Sequence, residues 1–345
     1  MISWYVRFAM AAHRTDRWHA VSFVSEALRG NPLGDPHERP LHVWVPEDAS
    51  RRYPCVYVIQ GMAGMADAWF NVAPWTRSYP DLIDALMPEA VVVLVDAFTK
   101  LGGSQYLDSP GIGNYHTYLC DEIVPYVDAH FPTLAAREHR GIQGKSSGGY
   151  GSMITPLLRP DLFGGLATHA GDALFEVCYA RDFAPAARAL RDHYDGSFDV
   201  FWADFLSGRP VLSSPYDELL VNTYAMCAAY SARADGSVEI PFDLATGELD
   251  PKVWARWLRF DPVVLAREET HRETLRDLRA VWIDAGADDE YHLELCATAF
   301  HREVLASGIE PERVHFELFP GTHRSLTWRY PLSLAFLVAG LSSTL

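Results

Sequence analysis

Apolar and polar positions alternate along the chain in blocks that change period. Ala20–Leu28 and Leu41–Val45 have strand character, and the loop between them, Gly30-Asn-Pro-Leu-Gly-Asp-Pro36, is dense in turn formers. The pair predicts an antiparallel hairpin. Cys55–Gln60 and Ala90–Asp96 are nearly unbroken apolar runs, as expected of parallel strands covered on both faces. Between Tyr115 and His130, Leu119, Ile123, Tyr126 and Val127 fall on one helical face. A short strand at Arg140–Gly144, a helix over Gly149–Leu158 and a strand over Phe163–His169 follow. Strand and helix alternation of this kind predicts an α/β fold, with a mostly parallel central sheet and helices on both faces.

The pattern changes between Leu174 and Leu265. Aromatic-rich helical stretches (Phe198, Phe201, Trp202, Phe205, then Trp254, Trp257, Phe260) are separated by Pro and Gly breaks. A crossover between parallel strands needs only a dozen or so residues, so this segment reads as an inserted helical cap. The expected organisation is a first core part over 1–173, the cap over 174–265 and a second core part over 266–345. Sheet character resumes at Ala280–Asp284. A helix is expected over Tyr291–Ser307, a last strand over Val314–Phe319 and a final helix over Trp328–Ala339.

Charge narrows the function classes. The chain has 345 residues and a formal net charge of −16. Binding to nucleic acid depends on cationic contacts to phosphate, so no nucleic-acid partner is expected. No stretch has 18 uninterrupted apolar residues, so no membrane span is expected. Met1–Ala12 faintly resembles a secretory signal, but Arg7 interrupts it; it reads as a leader or an upstream start. Cys55, Cys120, Cys178, Cys227 and Cys296 are scattered and never form a CxxC. They predict neither a disulfide framework nor a metal site, and they suit a cytoplasmic protein. The oligomeric state is not legible.

The strongest chemical signal is Gly144-Lys145-Ser146-Ser147-Gly148, which fits G-x-S-x-G between a strand and a helix. That turn must be very tight to push a serine hydroxyl out of the sheet edge, and the flanking glycines let neighbouring segments pass closely. It also leaves the Ser147 amide at a helix N-terminus, where it can face a developing oxyanion. Ser146 is therefore the candidate nucleophile.

A serine hydroxyl needs a base, and the base an orienting acid. With this turn the chain order is serine, acid, histidine. His323, in the loop Gly321-Thr-His-Arg-Ser325 after the last strand, is the candidate base. His169 precedes every acid candidate. His193, His271, His292 and His301 fall in helical stretches, and His315 lies inside a strand. Asp288, Asp289 and Glu290 all follow the Ala280–Asp284 strand, and spacing does not separate them. A second oxyanion donor is expected after the early central strand, in Gln60-Gly-Met-Ala-Gly64, with the Met62 amide as candidate.

With these motifs in hand, the chain resembles the esterase D-like branch of the α/β hydrolases. That branch includes S-formylglutathione hydrolases, enterochelin-type and feruloyl esterases and mycolyltransferases. Gly144–Gly149 resembles its G-x-S-x-G-G turn, Gly286-Ala-Asp-Asp289 its G-x-x-D acid loop, and Gly321–Ser325 its histidine loop. The resemblance implies an α/β-hydrolase fold and an acyl-enzyme mechanism on a small-molecule ester, with no metal or organic cofactor. It selects Asp289 as the acid and Met62 as the oxyanion donor. Gln60 departs from the usual His or Asp, and Ser147 from the frequent Met. The long cap puts glutathione thioester specificity in doubt. Gln60 and Asp172 are candidate substrate contacts, and Trp202, Trp254 and Trp257 are candidates for a pocket wall, with the core of the cap helices as the alternative place for each tryptophan. Acyl transfer or thioester hydrolysis on the same site, and a non-catalytic binding protein on this fold, are the alternatives.

Overall fold

The computed structural model describes residues 16–342. The leader reading of Met1–Ala12 lies outside them. β1 (Trp18–Val24) and β2 (Glu38–Trp44) form the expected hairpin, and β2 pairs antiparallel with a later strand, Val91–Val95. That strand is β4, following β3 (Cys55–Ile59) in the chain. β5 (Arg140–Lys145), β6 (Gly165–His169), β7 (Ala280–Gly286) and β8 (Val314–Phe319) complete one eight-stranded sheet. Its order is β1-β2-β4-β3-β5-β6-β7-β8, and every pairing from β4 to β8 is parallel.

The unbroken apolar runs follow from burial on both faces. In β3, Val56 and Val58 face one layer with Tyr79, Leu334 and Leu337, while Tyr57 and Ile59 face the other with Leu119, Ile154 and Phe163. Successive strand side chains point to opposite faces, so both layers are fed by one sequence run. The helices are α1 (Tyr79–Leu86), α2 (115–130, with a π-helical turn over Tyr118–Ile123) and α3 (Ser147–Leu158). The segment between β6 and β7 carries α4 (Ala180–His193), α5 (Phe198–Phe205), α6 (Asp217–Tyr230) and α7 (Pro251–Trp257), along with shorter turns at Phe175–Cys178 and Pro262–Leu265. α8 (Glu269–Arg276) leads into β7, α9 (Leu293–Ala306) joins β7 to β8, and α10 (Tyr330–Ser342) closes the fold. Among the described residues no helix is long and apolar enough to cross a membrane.

Two departures from the expected element bounds have a clear local cause, and burial settles the place of one tryptophan. β1 stops at Val24 instead of running to Leu28. The Glu122 carboxylate takes the Glu26 and Ala27 amides at 2.9 and 2.8 Å, turning the chain so that Leu28 plugs the core. α9 begins at Leu293, because Asp289 Oδ1 takes the Tyr291 amide at 2.9 Å and His292 adopts a left-handed φ of 62°. Trp257 is fully buried, with its indole N–H on Ser231 Oγ at 2.9 Å and its ring among Phe183, Tyr179 and Phe175. It is a core residue and is not available to line a substrate wall.

Candidate active site

The C-terminal ends of parallel strands β3, β5, β6, β7 and β8 lie side by side, and the chemistry-bearing residues gather there. Ser146 follows β5 directly and precedes α3. Its backbone has φ 57° and ψ −126°, a strained conformation for a residue with a Cβ. The turn is pinned from below: the Ser146 amide donates to the His169 and Ala170 carbonyls at 3.0 and 3.1 Å, and its own carbonyl accepts from the Tyr150 amide at 2.8 Å.

Close approach explains the glycines. A Cβ at Gly148 would lie 2.4 Å from the Ile59 carbonyl oxygen, and one at Gly144 would lie 2.4 Å from the backbone of Gly148. A Cβ at Gly61 would meet the Lys145 carbonyl oxygen at 2.8 Å and Ser146 Cβ at 3.3 Å. The end of β3 is thus pressed against the serine turn, which brings Met62 beside it. Gly148→Ala is expected to force these backbones apart, at about 1–3 kcal/mol of stability; urea denaturation reads that loss.

Neither the Met62 nor the Ser147 amide donates a hydrogen bond to any described residue. The Met62 loop is held in place by a buried ion pair. Arg39 reaches Asp96 Oδ1 at 3.2 Å, and Asp96 Oδ2 takes the Ala66 amide at 2.8 Å. The Gln60 carbonyl accepts from Tyr106 Oη at 2.7 Å, while its side-chain Nε2 is buried without a partner.

His323 is 7% exposed, and its Nδ1 lies 2.8 Å from Asp289 Oδ2. Burial separates the acid candidates: Asp289 is buried, whereas Asp288 and Glu290 are exposed. Glu290 has a different task. Its Oε2 accepts the His323 amide at 2.8 Å and its Oε1 meets Arg324 at 3.2 Å. Burial pushes the Glu290 carboxyl up, but these bonds outweigh it and hold it below the usual range. The acid and histidine loops pack back to back, since a Cβ at Gly286 would lie 2.5 Å from the Gly321 carbonyl oxygen. Tyr291 stands edge-on to the imidazole at 4.9 Å and bonds Glu218 of α6 through its hydroxyl.

Lys145 is half-buried beside Ser146. Burial lowers its ammonium from the usual value, against the attraction of Asp289, Glu290 and Asp172. Of the expected pocket residues, Asp172 lies next to Ser147. Trp202 and Trp254 instead pack within the 174–265 segment, on Phe201, Phe205 and Tyr224 and on Phe183 and Trp257 respectively.

A second serine–histidine–aspartate chain lies in the interior. His169 Nδ1 meets Asp284 Oδ1 at 2.7 Å, and His169 Nε2 meets Ser333 Oγ at 2.9 Å. Both His169 and Ser333 are fully buried, so this chain has triad connectivity without access for a substrate. Sequence reasoning set His169 aside on chain order and had no signal for Ser333, 164 residues away.

The family model of putative esterases matches residues 36–337. The chain belongs to this family. It is a carboxylic ester hydrolase, as the α/β-hydrolase resemblance implied. Among solved structures, the esterase is similar to a ferulic acid esterase, with 18% identity, TM-score 0.57 and coverage of 93% of this chain and 98% of that one. It is also similar to an S-formylglutathione hydrolase from Agrobacterium tumefaciens, with 16% identity, TM-score 0.57 and coverage of 94% and 95%. MPT51 (FbpC1) of Mycobacterium tuberculosis matches at 16% identity, TM-score 0.54 and coverage of 95% and 100%. At such identities the likeness is one of fold.

Proposed function

We propose that Ser146, His323 and Asp289 form a catalytic triad and that the esterase cleaves small carboxylic esters through an acyl-enzyme. The observation that carries this reading is the His323–Asp289 pair at 2.8 Å, in loops at the same sheet edge as the strained Ser146 turn. His323 takes the Ser146 proton as the hydroxyl attacks the ester carbonyl. The Met62 and Ser147 amides, free of other acceptors, receive the oxyanion. Asp289 fixes the imidazole tautomer and stabilises its protonated form. His323 then gives its proton to the leaving alcohol and activates the water that releases the acid.

The 174–265 segment acts as a cap in this reading. It rests on the nucleophile helix through Phe175 and Tyr230, whose rings pack on Tyr150 at 6.0 and 5.8 Å. Gln60 and Asp172 are the substrate contacts we retain. Five free, buried cysteines support a reducing, cytoplasmic setting.

The test is labelling by a fluorophosphonate, with the modified peptide mapped by mass spectrometry. The label is expected on Ser146, and Ser333→Ala is expected to label as well as the parent. A label on Ser333, or none on an enzyme that turns over an aryl ester, would overturn the assignment. Product analysis with an added alcohol separates hydrolysis from acyl transfer.

A further inference from the structure

Asp172 sits in the turn after β6 and is 7% exposed. Its Oδ2 accepts from Tyr179 Oη at 2.9 Å and lies 3.4 Å from both Gln105 Nε2 and Ser147 Oγ. Gln105 Nε2 also reaches the hydroxyls of Tyr179 at 3.0 Å and Tyr230 at 2.9 Å. These partners come from four places in the chain: α3, the turn before α4, the end of α6, and the loop after β4. Gln105 and Tyr106 hold left-handed φ values of 53° and 54° to take part, a conformation rarely adopted without a specific return.

The three contacts that Asp172 accepts, from Tyr179, Gln105 and Ser147, all fall on one oxygen. Oδ1 accepts nothing from any described residue, yet it is not sealed from solvent. The cations nearby do not satisfy it. Lys145 and His323 influence the carboxylate through space, and neither bonds it. Gln105 Oε1 is likewise buried without a partner. Burial raises the Asp172 carboxyl above its usual value, although Tyr179, His323, Gln105 and Ser147 oppose the rise. A carboxylate kept only to tie Ser147 to Tyr179 would gain from using both oxygens, or from replacement by a neutral amide. Three residues from separate elements instead hold it by one oxygen and leave the other open, next to the residue that follows Ser146.

Resting on the reading of Ser146 as nucleophile, we propose that Asp172 is a specificity residue. Its Oδ1 accepts a hydrogen bond from a hydroxyl or ammonium group of the substrate close to the scissile carbonyl. The enzyme then selects esters that carry such a donor. A site built around a buried acceptor discriminates strongly against analogues that lack the donor, because they leave it unpaired.

The experiment uses two matched series on the full-length esterase. One varies the acyl group: 4-nitrophenyl butyrate, 3-hydroxybutyrate and 3-aminobutyrate. The other varies the alcohol: ethyl, 2-hydroxyethyl and 2-aminoethyl butyrate. In at least one series a donor-bearing ester is expected to exceed its unsubstituted partner in kcat/KM by about tenfold or more. Asp172→Asn is expected to collapse that ratio toward one, and its melting temperature is expected to rise because a buried charge has gone. The series that responds tells whether the donor lies on the acyl or the alcohol side. If no donor-bearing ester gains in either series, the inference fails. It fails equally if Asp172→Asn lowers every ester by the same factor. In both cases turnover that depends on Ser146 would stand, whereas a fluorophosphonate label away from Ser146 would remove the premise first.

Discussion

Replacing Ser146 with alanine is expected to lower kcat on an aryl ester by roughly a millionfold, the scale seen when a triad nucleophile is removed. The expectation has a structure that a single number does not test. Asp289→Asn keeps a side chain of the same shape, but its amide nitrogen can face His323 Nδ1 and favour the wrong tautomer. Its cost should be about ten-thousandfold in kcat, with KM moving little, because Asp289 is buried behind the imidazole. If the proposed triad is correct, the double variant should be no slower than Ser146→Ala alone, since the members of a triad act as a unit. Residual activity should persist above the uncatalysed rate, because the Met62 and Ser147 amides remain. Steady-state kinetics on the three variants give the check. Multiplied losses in the double variant would mean that Asp289 and Ser146 act independently, and would remove Asp289 from the triad.

What the chain reveals before its structure divides by distance along the sequence. The Ser146 turn was legible because its requirements are local: a strand, a helix and glycines two residues either side. His323 was legible because it sits in a short Gly-bounded loop after a strand. The choice between Asp288 and Asp289 was not local. Both follow the same strand, and only the burial of one beneath the His323 ring decides between them. Resemblance chose Asp289, and it is Asp289 Oδ2 that lies 2.8 Å from His323 Nδ1. Trp257 was an open choice between pocket wall and core, and its burial places it in the core. An aromatic on a cap helix could face a substrate or its own core, and composition carries no information about which face is covered. Asp172 was legible as a candidate substrate contact, but the cluster around it was not, since Gln105 and Tyr230 are 125 residues apart and neither carries a motif.

The largest stability effect is expected at Arg329. Its Nε donates to Asp284 Oδ2 at 2.8 Å, with the side chains 3% and 0% exposed, and its guanidinium also pairs with Glu317. Asp284 further accepts from His169 Nδ1 at 2.7 Å and Trp282 Nε1 at 2.7 Å. Burial alone would raise the Asp284 carboxyl; His169, Trp282 and Arg329 together hold it below the usual value. Arg329→Met leaves that carboxylate buried with its cation gone, which should cost about 3–5 kcal/mol in chemical denaturation at neutral pH. Removing both charges, as in Asp284→Leu/Arg329→Met, should cost less than Arg329→Met alone: no fully buried charge is left unpaired, since Glu317 is half-exposed, although the His169 and Trp282 donors lose their acceptor. The pH dependence has a definite sign. A carboxyl depressed in the native state binds fewer protons folded than unfolded, so its contribution is present above the unfolded value of about 3.9 and is lost as pH falls toward the folded one. Stability of the parent should therefore drop below about pH 4 more steeply than that of the double variant. The effect also reaches the Ser146 turn: the Asp284 carbonyl accepts the Ala170 amide at 2.7 Å, and the carbonyls of His169 and Ala170 hold the Ser146 amide. If the double variant proves less stable than Arg329→Met, the network gains its stability from charge pairing beyond what apolar packing could replace.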